Sequence, residues 1–96
     1  MEDRYTKAKA LGAKYAIEIE GEDKIIFLKE PTKPVYQAWF ALHSEDLLSA
    51  NETVIRTLAI KECSDMDALE DIKSLGSMMG QLAEIMALKK SNLKTL

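Results

Sequence analysis

The chain has 96 residues, 47% of them hydrophobic and 30% charged, with 13 basic and 16 acidic side chains and a formal net charge of -3. A chain this short forms one domain, expected over residues 1–96, and buries only about two-thirds of the surface that its unfolded form exposes, so its core is thin; its apolar content excludes disorder as the default. No apolar run approaches the roughly 20 residues that span a bilayer, the opening Met-Glu-Asp-Arg-Tyr-Thr-Lys has no signal-peptide stretch, and the lone Cys63 excludes an internal disulfide, which together lead to the expectation of a cytoplasmic protein with no membrane partner.

Charge is unevenly spread. Residues 1–34 carry seven basic and seven acidic groups, 35–71 two and eight, and 72–96 four and one. The acidic middle repels phosphate backbones, and the basic excess at Lys89, Lys90 and Lys94 sits where a helix C-terminus favours cations, so nucleic acid is not an expected partner.

Taken in chain order, residues 2–11 favour a short helix, with Tyr5, Ala8 and Leu11 about one turn apart and Gly12 as its stop. From Tyr15 the period changes to two: Tyr15, Ile17 and Ile19 alternate with Ala16, Glu18 and Glu20, the pattern of a strand with one buried face. Gly21-Glu22-Asp23 supplies a turn, and Ile25–Leu28 reads as a second, more covered strand, giving a β-hairpin. Two strands are marginal alone, so helices must cover a face or another chain must extend an edge. After Pro31, Thr32 is placed to cap a helix with Pro34 in its first turn and a Val35, Trp39, Leu42 stripe running to His43. Tyr36 and Phe40 widen that stripe, and this helix is expected to pack on the hairpin as the centre of the core, with Trp39 and Tyr36 inside it. Ser44 is the expected cap of a next helix reaching about Ile60. Ser64 and Asp65 then open the longest helix, in which Leu69, Ile72, Leu75 or Gly76, Met79, Leu82 and Met86 step by three and four. The fold class expected is therefore α+β: a short N-terminal helix, a two-stranded antiparallel hairpin, then three helices of which the last is long.

Catalysis finds little support. His43 and Cys63 fall on different elements with no local signature joining them, and they read as a helix-end histidine and a loop cysteine. Glu18, Glu20, Glu22 and Asp23 crowd the hairpin, but their spacing fits no calcium loop and reads as a solvated face. No phosphate loop, dinucleotide fingerprint or zinc spacing occurs, so no catalytic residue, cofactor or metal is expected. The more informative cluster is Gly76-Ser77-Met78-Met79-Gly80. Two glycines within a helix cost about 1 kcal/mol each relative to alanine, which calls for a compensating contact. Either the helix packs closely on its own domain, or Gly76, Met78, Met79, Gly80, Leu82 and Met86 form an adaptable protein-binding groove; the second is taken as the candidate site.

The run Tyr15-Ala-Ile-Glu-Ile-Glu, the run Phe27-Leu-Lys-Glu-Pro-Thr-Lys-Pro-Val-Tyr-Gln-Ala and the closing Leu88-Lys-Lys-Ser-Asn-Leu-Lys-Thr-Leu96, in this order of elements, resemble a group of small tailed-phage proteins, the tail assembly chaperones. The resemblance covers nearly the whole chain and rests on architecture, so no residue role is carried over. It implies a protein that coats the long helical tape-measure protein during tail assembly, self-associates, needs no cofactor and leaves before the virion is complete. Two further readings stand beside it: a minor structural component that stays in the virion, and a phage-encoded inhibitor that sequesters a host protein through the acidic middle.

Overall fold

The computed structural model describes residues 3–19, 21–87 and 93–95. Glu2, expected to open the first helix, Glu20 of the hairpin, and Lys89 and Lys90 lie outside the described residues. The fold is α+β, with a short N-terminal helix, an antiparallel hairpin and several helices after it.

Helix α1 (Arg4–Ala10) begins where Asp3 Oδ1 accepts the Tyr5 N–H at 3.2 Å and ends through Gly12, whose φ of +100° only glycine adopts freely. Strands β1 (Tyr15–Ile19) and β2 (Lys24–Leu28) pair with Ile17 opposite Ile26 and Tyr15 opposite Leu28. Alternation along this register gives the hairpin two different faces. One presents Ile17, Ile19, Ile26 and Leu28 to the main core, which includes Val54, Ile55, Leu69, Leu75, Met78, Leu82 and Met86. The other presents Phe27 to a smaller cluster with Ala8, Ile60 and Cys63. There Tyr5 meets Phe27 edge-on at 5.2 Å and the Arg4 guanidinium lies 6.0 Å from the ring centre.

The outer edge of β2 is closed without a third strand. Ile60 N–H donates to the Phe27 carbonyl and Lys29 N–H to the Leu58 carbonyl, at 2.9 and 3.0 Å. Beyond them, side chains take over the ladder: Ser64 Oγ accepts the Phe27 N–H and Asp65 Oδ2 accepts the Ile25 N–H, both at 2.9 Å, while Asp65 N–H returns to the Ile25 carbonyl. Arg4 fastens the segment from the other side, donating to the Cys63 carbonyl at 2.6 Å and to Asp65 at 2.9 Å. Ser64 and Asp65, expected to open a long helix, have their side chains on the sheet edge, and Asp65 leads only into a short 3-10 turn, its carbonyl accepting the Ala68 N–H at 3.0 Å.

Three helical expectations are corrected. Helix α2 (Lys33–His43) has no fully buried residue and packs chiefly on α3 (Leu47–Leu58), so the centre of the core is not there. The buried side chains on the hairpin face are instead aliphatic and methionine side chains of α3 and the later segments, with Tyr36 and Trp39 only half-buried against them. Asp46 replaces Ser44 as the cap of α3, accepting the Ser49 N–H at 3.0 Å, and Thr32 makes no side-chain cap bond. The single long final helix is divided into a 3-10 turn (Met66–Glu70), α4 (Ile72–Ser77) and α5 (Met79–Ile85). The first break is at Asp71, which is extended and uses its carboxylate to cap Lys73. The described Lys94 lies in no helix, so it does not complement a helix terminus.

The hydrogen bond from Ile25 N–H, then the Arg4 guanidinium, holds the Asp65 carboxyl below the ordinary carboxylate range. A depressed folded pKa contributes stability that is present above the unfolded value and lost as pH falls through the folded one. Asp65→Ala is expected to cost about 1–3 kcal/mol at neutral pH by stranding the Ile25 donor. In urea unfolding at several pH values, the gap between variant and parent should narrow below about pH 4.

Candidate functional site

The expected partner-binding residues are placed in two different ways. Met78, Leu82 and Met86 are buried in the core of this chain, and Met79 is half-buried against it. A partner surface at Met78, Leu82 and Met86 is therefore not presented by the folded protein; these side chains cover the hairpin. Gly76 and Gly80 are exposed, and among the described residues a Cβ built on either meets nothing within 4 Å, so no close approach by those residues requires them. They flank the Met78 junction between α4 and α5, where weak helix propensity accompanies the break.

The other readings separate as well. Cys63 is buried beside Ala8 and Phe27, while His43 ends α2 and stacks on Trp39 at 4.5 Å, so the two belong to different clusters. Glu18 accepts the Tyr5 hydroxyl and Glu22 contacts Ser74 Oγ, which drafts the hairpin acids into separate structural contacts. Among the described residues no group of three or more His, Cys, Asp and Glu side chains is placed to hold a metal ion.

What the tertiary structure builds instead is an apolar groove between α2 and α3. Pro34, Val35, Ala38, Trp39 and Leu42 form one wall, and Ala50, Thr53, Val54 and Thr57 the other. Its cavity volume is about 180 Å³. The cause lies in the residue sizes: Ala38 faces Ala50 and the threonines, and four small side chains leave two packed helices with a space that larger ones would close. Trp39 fixes the floor. Its indole N–H donates to Asn51 Oδ1 at 2.8 Å, and the Asn51 amide turns its N–H toward Met79 Sδ at 3.0 Å, linking α2, α3 and α5 through one buried amide. Also from α2, the Tyr36 hydroxyl reaches the Ile85 carbonyl at 3.4 Å.

At the end of the groove near Leu42, the chain turns through Glu45 and Asp46. The Ser49 hydroxyl, then the Ser49 amide, holds the Asp46 carboxyl below its ordinary value, so it is charged at neutral pH. Beside this turn Phe40 and Leu47 are 43% and 53% exposed, and Leu47 and Leu48 continue the buried stripe of α3 past the point where the core covers it. The sequence signal for the groove was present in the Val35, Trp39, Leu42 stripe, but nothing in the stripe alone tells which neighbour it faces. Comparison with protein-family models, with curated proteins and with solved structures finds no match to this chain. No helix among the described residues is long and apolar enough to cross a membrane.

Two outcomes check these placements. Replacing Met79 and Leu82 together by Asp should unfold the protein, because Leu82 is fully buried, and circular dichroism would show it. Replacing Gly76 or Gly80 by Ala should stabilise by about 0.5–1 kcal/mol each, read as an increase of several degrees in Tm.

Proposed function

We propose that this chain is a non-enzymatic protein-binding domain whose α2–α3 groove receives the apolar ridge of a helix from another protein. The observation that carries the reading is the groove itself: an apolar cavity of about 180 Å³, walled by a helix with no fully buried residue and floored by the only tryptophan. An apolar cavity of about 150 Å³ accommodates a benzene-sized group, so this one suits a single phenylalanine or leucine knob. A helix laid into a groove with such anchors is a recurrent mode of recognition, and a desolvated tryptophan is a frequent centre of binding energy. The acidic excess over residues 35–71, with Glu45 and Asp46 at one end of the groove, favours a partner whose knob is flanked by lysine or arginine.

The resemblance to tail assembly chaperones gives the partner a concrete form: a long, helical tape-measure protein whose apolar stripe is held until tail-tube subunits replace the chaperone. Such a task asks for an apolar groove and for no cofactor or catalytic group.

Trp39 is a built-in reporter. Titration with an amphipathic helical peptide of leucine and lysine should shift its fluorescence saturably, and Ala38→Glu, which places a charge at an exposed position of the groove wall, should weaken binding at least about tenfold. Co-expression should keep a tape-measure protein soluble with the parent chain and not with the variant. Absence of any saturable shift, together with equal solubility in both cases, would falsify the reading; retention of the protein in purified particles would reassign it as a structural component.

A further inference from the structure

Each residue of an extended strand turns its N–H and C=O to one edge, and successive residues alternate between the two edges. On β2, Phe27 and Ile25 bond outward to residues 60–65, so Lys24, Ile26 and Leu28 face β1. Their partners Ile19, Ile17 and Tyr15 therefore use the inner edge of β1, which leaves Ala16 and Glu18 pointing outward. Lys14 falls out of this alternation, because its N–H donates inward to the Leu28 carbonyl at 2.8 Å. Ala16 and Glu18 are exposed, and among the described residues no hydrogen bond reaches their backbone N–H or C=O groups. One edge of the sheet is thus closed by residues 58–65, while the other offers a short row of main-chain donors and acceptors.

The side chains along that open edge give it a sign. The Tyr5 hydroxyl donates to Oε1 of Glu18, and among the described residues Glu18 forms no ion pair. Beside it lies a cavity of about 300 Å³ whose lining includes Glu18, Asp23, Lys24 and Ile25. Lys24 is already committed to Asp67 at 2.9 Å, so the charge left at the cavity is that of Glu18 and Asp23. An open edge recognises an extended peptide backbone, and these acids favour one that carries a basic side chain. A second copy of this chain fits less well: antiparallel pairing through both edge residues sets the two Glu18 side chains on the diagonal of the ladder, where like charges oppose.

We infer that the outer edge of β1 receives an extended segment of a partner protein, added antiparallel as a third strand, with a lysine or arginine paired with Glu18 and reaching the acidic cavity. Ala16 and Glu18 each supply one N–H and one C=O, so the contact is short, weak and tolerant of sequence, and its preference rests on the basic residue. This surface is separate from the α2–α3 groove and does not depend on it.

Amide hydrogen exchange read by NMR on the full chain, with the capped peptide Ser-Val-Arg-Thr-Ala-Val-Ser as probe, tests the inference. In the peptide-free chain the Ala16 and Glu18 amides should exchange at least about tenfold faster than the paired Ile17 and Ile26 amides, and saturating peptide should slow them by at least about tenfold. The same peptide N-methylated at its Arg and Ala keeps the charge but loses the two donors, and it should protect neither amide. Glu18→Gln, which still accepts the Tyr5 hydroxyl, should weaken binding about two- to fivefold at low ionic strength. Ala16→Pro, a residue that edge strands tolerate, should abolish binding, whereas Ala38→Glu should leave it unchanged. Protection of Ala16 and Glu18 without peptide would mean that the chain itself covers the edge or, where it grows with protein concentration, that a second copy does; either result overturns the inference. Equal binding of the N-methylated peptide, unchanged affinity of Glu18→Gln, or no protection at peptide concentrations up to about 1 mM would overturn it as well.

Discussion

A two-stranded sheet has two faces and two edges to satisfy, and in this chain β2 (Lys24–Leu28) meets that demand on all four sides at once. Its partner strand takes one edge, residues 58–65 take the other, and both of its faces are buried by different clusters. The exchange of a third strand for Ser64 and Asp65 side chains is the step on which the rest depends. It brings the chain back along the hairpin after α3, places Cys63 and Ile60 under Phe27, and aims the last helices at the opposite face. Arg4 secures the same segment, so α1 is bound to the return path and not simply to the sheet.

Because the later helices fill the hairpin face, α2 is left at the periphery with its apolar stripe shared between α3 and the groove. The stripe that reads as a core element thereby lines a groove. Asn51 gives this arrangement its rigidity. A buried amide with the Trp39 indole on one side and Met79 on the other costs stability unless it is satisfied, so it specifies where α2 lies relative to α3 and α5. The groove is thus a consequence of packing between helices that are individually ordinary.

Charge gives the molecule a direction. The acidic stretch runs from the Glu45 and Asp46 turn at one end of the groove through α3 to the segment and 3-10 turn that follow it, while the basic excess lies in residues 72–96. Between exposed groups such opposed charge acts over ranges set by ionic strength. Within the fold, exposed ion pairs such as Arg56 with Glu52 at 2.8 Å are individually weak, whereas Asp65 of the acidic stretch holds the Ile25 N–H and the Arg4 guanidinium at the sheet edge.

The sequence by itself determined the local elements: the period of two from Tyr15, the Gly21 turn with φ of +82°, the Gly12 stop and the period near 3.6 through α2 and α3. Those signals are local because dihedral preference and side-chain alternation act over a few residues. Tertiary structure alone decided which apolar stripe covers the hairpin, that the Ser64 and Asp65 side chains close a sheet edge, and that Met78, Leu82 and Met86 are core while Trp39 borders a groove. A stripe records that a face is buried but not against what, and steps of three and four run through Asp71 and Met78 as smoothly as through a continuous helix. The choice among faces depends on volumes and hydrogen-bond partners brought together from distant parts of the chain, and these exist only once the chain has folded.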